Sequence, residues 1–300
     1  MTDSPHPDPM AALIELLDLS DAAGAQTDEE IFVGVSMPKP GERLFGGQVL
    51  AQSLIAGIRT VDGDRPVHSM HGYFLRPGDT NLPVTFGVQR LRDGRSFSAR
   101  RVHAYQNGIP ILSMIASFQV PDAGIEHQEA MPLDVPEPES LPRAADLLGT
   151  IDHPVAQSWA YGRPFDIRHI DGSIYLNVDG ARVAQQAVWI KTIGPMSDDP
   201  NLHRAALAYA SDYTLLEPSL RRHGISWISP KLSIASLDHA MWWHRPVRVD
   251  EWLLYAAESP SASGARGLNL GKIFDRSGRL VASVAQEGMI RIPEEELPGH

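Results

Sequence analysis

The 300-residue chain carries an internal repeat, and a repeat limits the fold more than any local motif can. In the first half a helical pattern over 44–59 places Leu44, Val49, Leu50, Leu54, Ile55 and Ile58 on one apolar stripe. Four strand-like runs follow, at 67–75, 84–91, 97–106 and 109–120. Pro77-Gly78-Asp79, Asp93-Gly94 and Asn107-Gly108 punctuate them, the last being a strong two-residue hairpin signal. The second half repeats the order: a strand-like 184–192, a helical 202–216, then runs at 231–243, 252–258, 265–274 and 280–289, with a turn at Ser277-Gly278. Residues recur as well as patterns. His71 and His239 are 168 apart (239 − 71), as are His68 and Ser236 (236 − 68). Arg76-Pro77 returns as Arg245-Pro246, Ala99-Arg100 as Ala265-Arg266, and Gln119 as Gln286. The expected architecture is α+β: a helix packed on a curved antiparallel sheet, made twice, with the two sheets joined to cover their edges.

A short helix over 10–19 leads the chain, and a proline- and acid-rich stretch from 121 to about 143 breaks all periodicity. The expected division is 1–122 for the first repeat with its leading helix, 123–165 for a linker, and 166–300 for the second repeat. Hydrophobic residues at 43% are ample for a buried core. The absence of cysteine removes both a disulfide framework and a thiolate nucleophile, and fits a reducing compartment. A net charge of −11 argues against a nucleic-acid partner. The start of the chain is acidic and proline-rich rather than basic and then apolar, no apolar run reaches the ~18 residues of a membrane span, and Pro298-Gly299-His300 is not a peroxisomal address. A cytoplasmic protein without a membrane span is expected.

No metal is expected. His68 and His71, three apart on a strand, should face opposite sides. Ser236 and Asp238 should share a face from which His239 points away, and no Gly-x-Ser-x-Gly elbow occurs, so a serine hydrolase is disfavoured. Trp242 and Trp243 read as core and groove wall. Gly46 and Gly47, opening the first helix, mark a close approach of backbone to another group.

Six segments together resemble the type II acyl-CoA thioesterases, bacterial enzymes built as a double hotdog. They are Leu44-Phe-Gly-Gly-Gln-Val, the stretch from Val67 through His-Ser-Met-His-Gly-Tyr-Phe-Leu-Arg-Pro-Gly to Asp79, and 91–102; then Leu237-Asp-His-Ala-Met-Trp-Trp-His-Arg-Pro, Glu251-Trp-Leu-Leu-Tyr and Val284-Ala-Gln-Glu-Gly. The resemblance runs from about residue 30 to 290 and is weakest in the linker. It implies hydrolysis of medium- or long-chain fatty acyl-CoA, no cofactor, and a homo-oligomer. In that family an Asp, a Thr and a Gln hold and polarise the attacking water. These fall on Asp212, on Ser236 in place of Thr, and on Gln286. Serine keeps the hydroxyl but lacks the β-methyl that stiffens threonine.

Thioester hydrolysis needs a base for the water and donors for the oxyanion. An ionised Asp212 suits the base, while Ser236 and Gln286 can hold the same water. A backbone N–H at a helix start, in the Asp212 helix or in its glycine-containing counterpart, suits the oxyanion. Gly46, Gly47, His68, Arg100 and Arg266 are the candidate substrate contacts, the arginines for coenzyme A phosphates. Bland roles compete: a capping carboxylate for Asp212, a sheet hydroxyl for Ser236, a structural amide for Gln286, a solvated face for both arginines. Two other functions stay open, an acyl-CoA-binding regulator without turnover and a hotdog hydratase or dehydratase. The first half has no carboxylate to match Asp212, so it is expected to lend glycine backbone and packing to a single site whose base comes from the second.

Overall fold

The computed structural model of the chain describes residues 8–21, 29–37, 41, 43–132 and 134–293. Residues 1–7 and 298–300, which bear most of the targeting expectations, lie outside them. Among the described residues no helix is long and apolar enough to cross a membrane.

The leading helix α1 spans Pro9–Leu17, with Asp8 accepting from the Met10 N–H as its N-cap. Strands β1 (Ser20–Asp21) and β2 (Glu30–Gly34) follow, then helix α2 (Gly46–Ile58) and strands β3 (Val67–Phe74), β4 (Val84–Asp93), β5 (Phe97–Gln106) and β6 (Ile109–Gln119). The β5–β6 turn has both Asn107 and Gly108 at positive φ, the conformation that an Asn-Gly hairpin favours. The connection holds a 3₁₀ turn (Pro138–Ser140) and helices α3 (Ala144–Leu148) and α4 (Pro154–Tyr161). The second half comprises β7 (Phe165–His169), β8 (Gln185–Thr192), α5 (Pro200–Ser211), α6 (Glu217–His223), β9 (Ser233–Ser236), β10 (Asp238–Trp243), β11 (Leu253–Ser263), β12 (Arg266–Asp275) and β13 (Leu280–Arg291).

The strands form one antiparallel sheet in the order β1-β2-β4-β5-β6-β3-β10-β13-β12-β11-β8-β7, with β9 also paired to β13. The order within each half is the same, and β3 against β10 joins them. Helix α2 packs on β3, β4, β5 and β6, helix α6 on β8, β11 and β12, and α5 runs against α2. Every residue of α2 from Gly47 to Gly57 is therefore buried, where the sequence pattern predicts one apolar stripe. Its two glutamines are satisfied: Gln52 donates to the Leu16 and Val35 carbonyls, and Gln48 accepts from Met37 and donates to Val35. The connection crosses the outer face of the second half, where Met131, Val135 and Leu141 cover Trp189, Trp252, Leu254 and Phe274.

The register at the junction corrects the repeat offset. Arg76-Pro77 and Arg245-Pro246 are 169 apart (245 − 76), and the same step carries His71 onto Ala240 (240 − 71). Those two residues face each other in the β3–β10 ladder, so the pseudo-twofold passes through that pair. A step of 168 puts equivalent side chains on opposite faces, since strands alternate with period two. His71 is exposed on the outer face and His239 is buried under the helices. With the offset of 169, Met70 matches His239, Val67 matches Ser236, and Phe97 rather than Arg100 matches Arg266. Asn269 and Gln286 face each other, as do Arg100 and Ala116, so Ala116 is the counterpart of Gln286. Gln119 pairs with Phe97 at the end of β6 and is not equivalent to Gln286.

Both halves also break alternation at the same place. The β3–β6 register shifts between Val67 and Ser69. The register against β13 shifts by one residue between Ser236 and Ala240. These irregularities overturn two readings of faces. His68 and His71 both lie on the outer face, and Ser236 shares the inner face with His239 while Asp238 points away to accept from the Glu287 N–H at 2.7 Å.

Candidate active site

Helix α5 starts at an Asp199 cap followed by Pro200 and ends at Ser211, leaving Asp212 as its C-cap. The pattern over 202–216 predicts one continuous helix; the break at Asp212 instead turns its carboxylate across to the start of α2. There the Gly47 N–H donates to Asp212 Oδ2 at 2.9 Å. The two glycines are what permit this. A Cβ on Gly46 would sit 2.7 Å from Asp212 Oδ2, and one on Gly47 would sit 2.3 Å from the Tyr209 carbonyl oxygen. A carboxylate at a helix N-terminus also gains from the positive end of the helix dipole.

The other carboxylate oxygen faces the second repeat. Ser236 Oγ donates to Asp212 Oδ1 at 3.2 Å, and Gln286 Nε2 donates to Ser236 Oγ at 2.7 Å. Asp212, Ser236 and Gln286, spread over a sequence separation of 74 (286 − 212), thus form one hydrogen-bonded group. Burial pushes the Asp212 carboxyl above its ordinary value, opposed in part by His239, Gln286, Ser236 and the Gly47 N–H. A carboxylate raised in this way is a stronger base for water.

Asp212 and Ser236 lie on the wall of a cavity of about 970 Å³. Gly46, Phe45, Tyr209 and Tyr213 line it from the helices, Phe74 to Gly78 from the end of β3, and 234–237 from β9. Pro9 and Ala12 of α1 and a run of residues from Asp152 to Arg163 close it from outside the repeats. Phe45 stacks on Tyr213 at 4.9 Å and meets Tyr209 edge-on at 5.0 Å, which makes one wall aromatic. The Arg163 guanidinium lies 4.8 Å over the Tyr213 ring and donates to the Tyr175 hydroxyl at 3.1 Å.

The remaining sequence candidates lie elsewhere. His68 contacts Ser117 Oγ at 2.9 Å on the outer face, away from the cavity. Arg100 is 1% exposed and bonds to Thr60 and Asp93 inside the first half. Arg266 pairs with Glu287 on the surface at 3.0 Å. None of the three lines the cavity. The arginines that do are Arg43, Arg76 and Arg163. Arg43 directly precedes the Leu44 segment of the resemblance and Arg76 lies within the Val67 segment, a signal available in the sequence; Arg163 is brought in only by the fold.

The family model described as acyl-CoA thioesterase matches residues 164–289, and the model for the acyl-CoA thioesterase N-terminal domain matches 35–119. Acyl-CoA thioesterase 2 of Haemophilus influenzae is 39% identical over 289 residues, covering 94% of this chain and 98% of that protein. The chain belongs to the acyl-CoA thioesterases. The crystal structure of acyl-CoA thioesterase II TesB2 from Mycobacterium marinum superposes with a TM-score of 0.73 at 42% identity, covering 94% of this chain and 98% of that one. A protein of unknown function with a hot dog fold from Alicyclobacillus acidocaldarius gives a TM-score of 0.75 at 21% identity, covering 94% and 98%, a likeness of fold alone. This thioesterase is a double hotdog and a thioester hydrolase, with acyl-CoA as its substrate.

Proposed function

We propose that the thioesterase hydrolyses medium- and long-chain fatty acyl-CoA by direct attack of water, with Asp212 as general base and Ser236 and Gln286 holding the water beside it. The observation that carries this reading is the hydrogen-bonded Asp212–Ser236–Gln286 group, of which Asp212 and Ser236 lie on the wall of an aromatic-lined cavity of about 970 Å³ and Gln286 sits behind Ser236. A proton passes from water to Asp212 as the water oxygen bonds to the thioester carbon. Collapse of the tetrahedral intermediate then breaks the carbon–sulfur bond, and the proton returns to the departing thiolate, leaving free acid and coenzyme A. No side chain is acylated.

The cavity size and its apolar rings suit a fatty chain, and Arg43 and Arg76 suit the coenzyme A phosphates, which Arg100 and Arg266 do not reach. Residues 1–122 and 166–300 are read as the two repeats, 123–165 as their linker. Cytoplasmic residence is favoured by the cysteine-free composition. A homo-oligomer is favoured by Tyr73, which is 63% exposed on the outer face of the sheet beside Ile115 and Leu75. The deciding experiment follows release of free thiol from a series of acyl-CoAs by wild type and Asp212→Asn. Loss of roughly 10²–10⁴-fold is expected for general-base removal. A variant within threefold of wild type removes Asp212 from the role, and an acyl adduct on Ser236 in quenched enzyme overturns direct attack.

A further inference from the structure

The site has a buried neighbour that water activation, as described above, leaves without a role. His239, 1% exposed on the inner face of β10, places its Nδ1 against Gln286 Oε1 and its Nε2 at 3.0 Å from Ser211 Oγ. Ser211 is the last residue of α5, one before Asp212, and its carbonyl accepts from the Tyr255 hydroxyl at 2.9 Å. The chain of contacts therefore leaves Asp212 through Ser236, Gln286 and His239 and returns to the same helix end.

Its direction follows from donor and acceptor inventory. Asp212, when ionised, only accepts, so Ser236 spends its single hydroxyl proton on Oδ1. Ser236 Oγ must then accept from Gln286, which turns the amide nitrogen toward Ser236 and the amide oxygen toward His239. An amide oxygen cannot donate, so the histidine must carry its proton on Nδ1. In the neutral ring Nε2 is then an acceptor facing the Ser211 hydroxyl, whose single proton is shared between it, at 3.0 Å, and the Ala208 carbonyl oxygen at 2.9 Å. The opposite orientation of the amide would present its oxygen to Ser236. Ser236 would then donate to Gln286 and leave Asp212 Oδ1 without that bond. The ring next to Gln286 decides between the two.

We infer that His239 is a positioning residue of the thioesterase: its Nδ1–H fixes the Gln286 amide, so that every hydrogen bond from His239 through Gln286 and Ser236 points toward the Asp212 carboxylate. Hydrogen bonds aligned in this way strengthen one another, and the last one orients the base. The titratable groups around the ring are Asp238 of its own strand, Asp212 at the end of α5 and Tyr255 of β11 through Ser211. The inference rests on the reading of Asp212, Ser236 and Gln286 given above.

His239→Leu removes the donor and keeps an apolar volume; His239→Asn restores an N–H near the position of Nδ1. The leucine variant is expected to lose kcat on the order of 10²-fold, the scale of a misplaced catalytic group. KM should change little, since His239 does not line the cavity. The acidic limb of kcat/KM should move to higher pH, because Asp212 loses a donor to its charged form. The asparagine variant should recover most of both losses. In a Ser236→Ala background, His239→Leu should cost less than threefold, since its effect travels through Ser236. A leucine variant with a lower Tm but unchanged kcat and pH limb would reduce His239 to packing. So would additive losses with Ser236→Ala, or a folded asparagine variant that recovers nothing. Failure of Asp212→Asn to inactivate would instead sink the underlying site, which keeps the two failures apart.

Discussion

A carboxyl group taken out of water beside a helix start meets two opposed effects at Asp212. Desolvation raises its pKa, while the Gly47 N–H and the Ser236 hydroxyl favour the charged form; burial is the larger. Two consequences can be measured. The acidic limb of kcat/KM should lie above the ordinary aspartate value of about 4, because the base works only when ionised. A limb at or below that value would contradict the raised carboxyl. Stability should move the other way. The folded state binds the Asp212 proton more tightly than the unfolded chain, so stability is lost as pH rises from the unfolded value through the folded one. Asp212→Asn, neutral throughout, should therefore unfold at the same or a higher temperature than wild type at pH 7 while being inactive. The glycines answer to the same geometry. In Gly47→Ala the new methyl would meet the backbone oxygen of Tyr209, which cannot swing aside, so a loss of ~1–3 kcal/mol is expected by calorimetry together with loss of turnover. Full activity and an unchanged melting temperature in that variant would show that α2 and α5 approach less closely than this.

Elements were read from period, and period is what failed near the site. The runs that form β5, β6 and β12 keep a regular alternation for most of their length, and their hydrophobic pattern alone locates them. Val67 and Ser236 stand where one residue is inserted against the neighbouring strand, and there the rule assigns His68, Asp238 and His239 to the wrong faces. The same rule turns His239 away from Ser236, although its side chain touches Gln286, which donates to Ser236. The end of α5 was equally hidden, because Ala208, Ala210, Leu215 and Leu216 continue a helical pattern across Asp212, and only the contact with Gly47 accounts for a turn there. Helix α4 went unread because proline and acidic residues ahead of it erase periodicity. Yet α4 supplies Trp159, which stacks on Tyr175 at 5.2 Å and lines the cavity. Trp159→Ala should enlarge that wall and shift kcat/KM toward longer or bulkier acyl chains, read across a chain-length series. An unchanged profile in a folded variant would place the acyl chain elsewhere in the cavity.

At the scale of the whole molecule, the proposed function gives a duplicated fold one site for two equivalent positions. Symmetry about the His71–Ala240 pair sets Val67, Met70 and Ala116 where the second half has Ser236, His239 and Gln286. Three polar side chains in one half stand where the other has three apolar ones, and all but the part-exposed Ser236 are buried. The apolar set packs the first half and could not hold a water, whereas the polar set would be costly without the carboxylate it serves. What the first half adds to the site is backbone: the Gly47 N–H, donated across the α2–α5 contact to Asp212. Identity between repeats in sequence points to Gln119 as the partner of Gln286, but the sheet register puts Gln119 opposite Phe97 and Ala116 in the place of Gln286. The two glutamines therefore separate one site from two. Gln286→Ala should lower turnover by orders of magnitude, since it releases Ser236 and leaves His239 Nδ1 without its partner, while Gln119→Ala should stay within about threefold, as changes distant from the site do. Titration with a non-hydrolysable acyl-CoA thioether should saturate at one equivalent per chain. Equal losses in the two variants, or two equivalents bound, would mean that the first half retains a working site built from other residues.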